Sequence, residues 1–111
     1  MNYQTKFFNL LTICEKSGKL IKGFDMTREA VINKKAVCIM TASDISEKTL
    51  KEINFICKNN RYVKITALPF SMEIIKESIG KKVGVMTVCD KGFAAKLFEY
   101  AQAERENLMQ Y

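Results

Sequence analysis

The chain has 111 residues, with 18 Lys and Arg against 12 Asp and Glu, no histidine, and an apolar share of 48%. That length predicts one domain over residues 1–111, and that apolar share supports a packed core and argues against disorder. The net charge of +6 suits an anionic partner such as nucleic acid, while the missing histidine removes Ser-His-Asp and Cys-His nucleophilic machinery and most catalytic zinc sites.

Gln4–Ser17 reads as a helix, with Phe7, Leu10, Leu11 and Cys14 at helical spacing and Gly18 as its stop. Leu20 and Ile21 form a short strand before a turn at Gly23. Met26–Lys34 is a second helix, with Asp25 as its N-cap and Met26, Ala30 and Val31 inward. Ala36–Thr41 opens on a continuous apolar run, which suits a central strand covered on both faces. Asp44-Ile45-Ser46 is a capping signal for a third helix, Glu47–Asn59, whose Leu50, Ile53, Ile56 and Cys57 form one apolar face. Tyr62–Leu68 is a strand in which Val63 and Ile65 face one way, Lys64 and Thr66 the other. Pro69 ends it. Ser71 caps a fourth helix over Met72–Ile79, and Phe70 and Ile75 hold the positions of a hydrophobic staple. Val83–Cys89 is another apolar strand, with Gly84 allowing close approach. Asp90 caps a last helix from Lys91 to about Glu106, with Ala94, Leu97, Phe98 and Ala101 as its buried stripe.

Helix and strand thus alternate four times before a final helix. Such alternation predicts an α/β fold, a three-layer sandwich with helices on both faces of the sheet. The first strand is too short and exposed for a central parallel position, so the sheet should be mixed. The four cysteines (Cys14, Cys38, Cys57 and Cys89) lie far apart in apolar surroundings, which predicts buried free thiols in a reducing compartment and no metal site. A lipoprotein-like start at Lys6, Phe7–Ile13 and Cys14 fails, because Asn9 interrupts it and bulky Ile13 stands where a small residue is needed. No apolar run approaches the ~20 residues of a membrane helix, and the expectation is a cytoplasmic protein with no membrane association.

Charge is unevenly spread. Residues 1–35 carry net +4 and residues 57–96 net +5, around a near-neutral 36–56, and residues 97–111 carry net −2. The corner from Gly23 to Arg28 is the candidate meeting point. A helix start offers unpaired N–H groups and a positive dipole end to an anion, with Lys19, Lys22 and Arg28 around it. An ordinary strand-to-helix turn with solvated charges accounts for the same residues.

Several runs carry a resemblance: Ser17-Gly18-Lys19 through Gly23, Thr41-Ala42-Ser43-Asp44-Ile45-Ser46, Glu77-Ser78-Ile79-Gly80-Lys81, and above all Asp90-Lys91-Gly92-Phe93-Ala94-Ala95-Lys96-Leu97. In their order and spacing, from about Phe7 to Leu97, they resemble the kink-turn-binding ribosomal protein superfamily of the L7Ae and L30e type, in its bacterial YlxQ-like branch. The resemblance implies an α/β/α sandwich around a four-stranded mixed sheet, with RNA bound at one end of the sheet. In that family a Gly-x-Asn-Glu-x-x-Lys run opens the second helix and reads the tandem G·A pairs of a kinked RNA. The matching run here is Gly23-Phe24-Asp25-Met26-Thr27-Arg28-Glu29. Gly23 is kept, Asp25 replaces Asn, Met26 replaces Glu, and Glu29 replaces Lys with Arg28 beside it. Asp25 lacks amide donors, and Met26 cannot hydrogen-bond a guanine edge. The family's Leu-Gly pair in the fourth helix is Ile75-Lys76 here. A second contact region, after that helix, maps to Ile79-Gly80-Lys81-Lys82-Val83.

In such a sandwich the Gly23 corner and the Gly80–Val83 loop would lie near each other, gathering Lys22, Arg28, Lys81 and Lys82 for phosphate and joining the two basic segments. Arg28 suits bidentate phosphate contact or base stacking, and Ile79 and Val83 suit packing against a bulged nucleotide. The expected function is non-catalytic binding of structured, kink-turn-like RNA, with ribosome association, a protein partner in the translation machinery, and no cofactor. The alternative is a protein-interaction module that has lost kink-turn recognition, favoured by the carboxylates of Asp25 and Glu29 and by the adaptable Met26. No paired acid and base, metal cluster or phosphate loop points to an enzyme.

Overall fold

A computed structural model describes residues 2–109. Five helices and four strands alternate: α1 (Tyr3–Lys16), β1 (Leu20–Lys22), α2 (Phe24–Ile32), β2 (Cys38–Thr41), α3 (Glu47–Cys57), β3 (Lys64–Ala67), α4 (Met72–Ile79), β4 (Val85–Val88) and α5 (Lys91–Leu108). The strands lie in the order β1-β4-β2-β3. β2 and β3 run parallel, and β4 runs antiparallel to both β1 and β2. The sheet is mixed, as the short first strand predicts, and β1 takes an edge.

The two apolar runs occupy the centre. Every residue of β2 and of β4 is buried, because each strand is covered on both faces and paired on both edges. Alternation along β4 sends Met86 and Val88 to one core, with Phe7, Leu11, Phe70 and Leu97. The other core gathers Val85 with Ala30, Val31, Ile39 and Ile53. The result is a three-layer α/β/α sandwich. On the first side, the rings of Phe7, Phe8 and Phe70 form a triangle with centroids 4.8–5.1 Å apart. The predicted staple is in place there, since Phe70 and Ile75 are both buried in that core.

Helix starts follow their side-chain signals with two exceptions. Asn2, Ser46, Ser71 and Asp90 each accept a hydrogen bond from an N–H of the first turn. Asp25 does not: α2 begins two residues earlier than predicted, at Phe24, and Gly23 is its N-cap. Asp25 falls inside the first turn, where its charge still favours the helix dipole. Met26, expected inward, is 54% exposed, because Thr27 takes the inward position with Ala30 and Val31. Asp44 does not cap α3 either. Its carboxylate accepts from the Met72 N–H at 2.9 Å, so it ties the β2–α3 loop to the start of α4.

The strands are shorter than the apolar runs suggest. Ala36 N–H turns back to the Ala30 carbonyl, and Val63 N–H bonds within a turn to Asn60. Hydrophobicity marks burial there, whereas strand pairing needs a neighbouring backbone. α2 ends in a left-handed residue, Lys34, at φ 59°. The four cysteines are free thiols, and Cys89 is only half-buried where full burial was expected. Its pKa is raised by burial, against the pull of Lys19 and Lys35.

Candidate nucleic-acid interface

Strands β1, β2 and β3 run towards one end of the sheet, and β4 starts there. That end therefore collects the Gly23 corner, the Ala42–Ser46 loop, the Leu68–Ser71 loop and the Gly80–Gly84 loop. Backbone bonds hold them as one unit. Gly23 N–H donates to Val85 O (3.0 Å), Ala42 N–H to Gly84 O (2.9 Å) and Ser43 N–H to Phe70 O (2.8 Å). Between them lies a groove of about 410 Å³, lined by Gly23, Phe24, Ser46, Met72, Lys81 and Lys82 among others.

Each wall has a physical cause. Gly23 sits at φ 99°, a backbone conformation that side-chain-bearing residues rarely adopt. As the N-cap of α2 it brings no capping side chain. The first amides of α2, at Phe24, Asp25 and Met26, thus lack a side-chain cap and face outward with the positive end of the dipole. Gly80 closes α4 in the left-handed conformation, φ 75°, its N–H bonded to Lys76 O. That turn throws Lys81 and Lys82 to the surface. At Gly84 a Cβ would stand 3.3 Å from Met72 Sδ and 3.6 Å from Ile45, so the missing side chain lets both pack close.

The predicted residues divide in the structure. Gly23, Lys81, Lys82 and Val83 share the groove. Asp25, Met26 and Glu29 are exposed on α2 beside it. Ile79 is half-buried against the core and Gly80 is exposed. Val83 is only 5% exposed, because its side chain belongs to the core beneath the loop, so it supports the groove floor and offers little surface to a nucleotide. Lys82 lies 3.6 Å from Glu73, with both side chains mostly exposed; such a pair contributes little.

Three expected members are elsewhere. Lys19 precedes β1 and stands at the opposite end of the sheet, where its carbonyl accepts from Cys89 N–H at 2.9 Å. The Lys22 ammonium is hydrogen-bonded to Glu15, because alternation along β1 turns it towards α1. Arg28 lines a different groove, of about 530 Å³, between α2 and α3 with Phe24, Ile32, Lys51 and Phe55. The four cations are therefore not gathered, and the two basic segments do not merge here. Sequence reasoning missed Phe24, which lines both grooves. It also missed Met72; the paired signals were a bulky residue directly after a positive-φ glycine and one directly after a serine cap.

Among the described residues no group of three or more His, Cys, Asp or Glu could hold a metal ion, and no helix is long and apolar enough to cross a membrane.

Residues 5–98 match the model of the Ribosomal protein L7Ae/L30e/S12e/Gadd45 family. The chain is similar to the RNA-binding protein YlxQ of Enterococcus faecium, 34% identical over 95 residues covering 85% of this chain and 89% of that protein. It is also similar to the RNA-binding protein YlxQ of Bacillus subtilis (strain 168), 30% identical over 95 residues covering 83% and 91%. Among solved structures it resembles a protein of unknown function from Bacillus halodurans C, with a TM-score of 0.78 at 23% identity over 87% of this chain and 97% of that one. The Giardia lamblia 15.5kD RNA binding protein shares the fold at a TM-score of 0.68 and 12% identity, over 91% and 88% of the two chains. The sandwich, its mixed sheet and the runs from Ser17 to Leu97 thus converge, and the chain belongs to the Ribosomal protein L7Ae/L30e/S12e/Gadd45 family, in its YlxQ-like branch.

Proposed function

We propose that this protein is a cytoplasmic, non-catalytic RNA-binding domain over residues 1–111. It takes structured, kink-turn-like RNA at the end of the sheet that carries Gly23 and the Gly80–Val83 loop. The observation that carries the reading is one juxtaposition. The uncapped start of α2 and the Lys81-Lys82 turn face each other across a single groove, in a chain of this family. Backbone amides and lysine ammonium groups both suit phosphate oxygens. Its relatives' description as RNA-binding proteins points the same way.

The base-reading positions set how selective that binding is. Asp25 offers no amide donors and places a carboxylate beside phosphate, and Met26 brings no hydrogen bond to a base edge. Affinity here rests on backbone amides, Lys81 and Lys82, with only a modest preference for kinked over plain RNA. The partner RNA is ribosomal, and a protein partner belongs to the translation machinery. The test is binding to a kink-turn RNA and to a plain duplex of equal length across a salt series. A kink-turn preference that persists at higher salt supports specific recognition. Equal binding that collapses with salt reduces the interaction to phosphate attraction, and no binding at low salt rejects the reading.

A second reading is a protein-interaction module that has lost kink-turn recognition. The groove between α2 and α3 favours it, since Ile32 and Phe55 are 61% and 77% exposed along its wall. Partner capture that survives nuclease and high salt, and is abolished by Phe55→Ala, would select it.

A further inference from the structure

The positive charge of this chain is concentrated at the end of the sheet opposite the groove. Leu20, Val88, Cys38 and Lys64 stand side by side across the four strands at that end. Four loops meet there. Cys89 N–H donates to Lys19 O (2.9 Å), Val37 N–H to Val88 O (3.0 Å) and Lys64 N–H to Val37 O (3.3 Å), which ties the loops across the whole edge. The α1–β1 connection brings Lys16 and Lys19, the α2–β2 connection Lys34 and Lys35, and the α3–β3 connection Lys58 and Arg61, all exposed. Lys64 and Lys91 bring the cations to eight, against three carboxylates in these loops and the adjoining helical turns: Asp90, which caps α5, Glu15, which is paired with Lys22, and Glu29. Among the described residues the three salt bridges involve none of these cations.

The loops and first helical turns around the groove are different. They hold the carboxylates of Asp25, Asp44, Glu47 and Glu73 against three lysines, Lys48, Lys81 and Lys82. Helix dipoles do not account for the contrast. The C-termini of α1, α2 and α3 reach the basic end, and three such termini present roughly −1.5 charges between them. The cations there exceed that several-fold.

An exposed tyrosine stands inside the basic field. Tyr62, in the α3–β3 loop beside Arg61, is 50% exposed. Its hydroxyl donates to the Val31 carbonyl at 2.8 Å, which fixes the ring at the surface between two basic loops. Lys64 is held over the Phe98 ring, 3.5 Å from its centre; a held ring beside the remaining cations, which form none of the salt bridges among the described residues, suits a nucleobase flanked by phosphates. Cations alone also attract anionic lipid headgroups, and the fixed Tyr62 ring is the feature that favours a nucleobase.

We infer that the basic end, built from Lys19, Lys35, Lys58, Arg61 and Tyr62, is a second nucleic-acid contact surface that takes a single-stranded RNA segment. This extends the proposed RNA-binding function: with structured RNA in the groove, the protein joins two RNA segments on opposite ends of one sheet. It does not require that function, because the two surfaces share no residue.

The probes are a labelled 20-nucleotide oligouridine, a kink-turn RNA and vesicles of anionic phospholipid. The variant Lys19→Gln, Lys35→Gln, Lys58→Gln, Arg61→Gln spares Lys34, whose left-handed backbone makes substitution there conformationally confounded. Circular dichroism and a thermal melt confirm that the variant is folded. Removing four phosphate contacts lowers the salt slope on a single strand by roughly 2.8, so between 50 and 200 mM salt about 50-fold of the wild type's affinity loss disappears. Tyr62→Ala weakens oligouridine binding by roughly 5- to 150-fold, the range of a stacked base. Kink-turn RNA does not displace the oligouridine, and Lys81→Gln with Lys82→Gln leaves oligouridine binding intact. An unchanged salt slope in the quadruple variant overturns the inference. So do unchanged affinity in Tyr62→Ala, competition between the two RNAs, or vesicle binding without oligouridine binding. If kink-turn RNA fails to bind while oligouridine behaves as described, the groove reading falls and the basic end stands.

Discussion

Thr27 and Thr87 face each other with no exposure to solvent, and the Thr87 hydroxyl donates to Thr27 Oγ1 at 2.7 Å. Thr27 lies in the first turns of α2 and Thr87 at the centre of β4, so this one bond seats the start of the site helix on the sheet. Thr27→Val keeps the side chain's shape and removes the acceptor, leaving the Thr87 hydroxyl buried without its partner. An orphaned buried donor costs about 1–3 kcal/mol. Unfolding entropy near 2.1 cal/mol/K per residue gives about 0.23 kcal/mol/K for a chain of this size, so the melting temperature falls by roughly 4–13 °C. Thr87→Val does the same from the other side. The double variant removes both polar groups, and its loss should be close to zero and smaller than either single loss. Thermal denaturation of the four proteins by circular dichroism reads the cycle. If the double variant loses as much as the two singles added together, the bond does not couple α2 to β4, and the reasoning about the helix seat is wrong.

Other consequences are equally accessible. Asp90→Ala deletes the cap on Phe93 N–H and should cost about 1 kcal/mol, seen as a melting temperature lower by roughly 4 °C. Lys34→Gly relieves a left-handed backbone at φ 59° and should stabilise the chain by up to about 1 kcal/mol in chemical denaturation. Phe70→Ala opens the aromatic triangle and should cost about 3–5 kcal/mol, measured by the same denaturation. Cys14 has its pKa raised from an ordinary 9.0 to about 11, first by burial and then by Asp90 and Cys89. The unfolded chain therefore loses that proton first, and stability falls as pH rises from about 9 towards 11. Cys14→Ala should flatten this slope in melts taken between pH 8 and 11. Native labelling with a thiol reagent should reach half-buried Cys89 ahead of the other three cysteines.

The fold was largely legible because its signals are local. Ser71, Ser46 and Asp90 announce helix starts through their own side chains, and the apolar runs around Ile39 and Met86 can only be central strands. The misreadings share a cause, which is that tertiary partners redirect local signals. Asp44 has the chemistry of a cap, but the nearest free amide in space belongs to Met72, 28 residues away. Asp25 reads as a cap only if the glycine before it is ignored, and Gly23 can end a strand and start a helix at once.

The candidate site was half legible. That the Gly23 corner meets the Gly80–Val83 loop depends on β4 running antiparallel to β1 and β2, which alternation of elements does not dictate and the family resemblance implies. Which cations point there does not follow. Lys22 is assigned by the two-residue period of β1 and by Glu15 on another helix, and Arg28 by the buried face of α2 at Thr27, Ala30 and Val31, of which Thr27 was not read as inward. Segment charges misled for the same reason. Residues 1–35 and 57–96 are both basic, but Lys16, Lys19, Lys34, Lys35, Lys58 and Lys64 lie at or beside the α1–β1, α2–β2 and α3–β3 connections, at the far edge of the sheet.

The central claim, that RNA binds at the uncapped start of α2 and the Gly80–Val83 loop, is tested most directly by amide chemical shifts. The ¹⁵N-labelled protein would be titrated with a kink-turn RNA at moderate salt. The account predicts the largest shifts at the amides of Gly23 to Met26 and Gly80 to Gly84, with the wall of the α2–α3 groove at Ile32 and Phe55 unmoved. Shifts centred on Ile32 and Phe55, with the Gly23 and Gly80 amides unchanged, would contradict it.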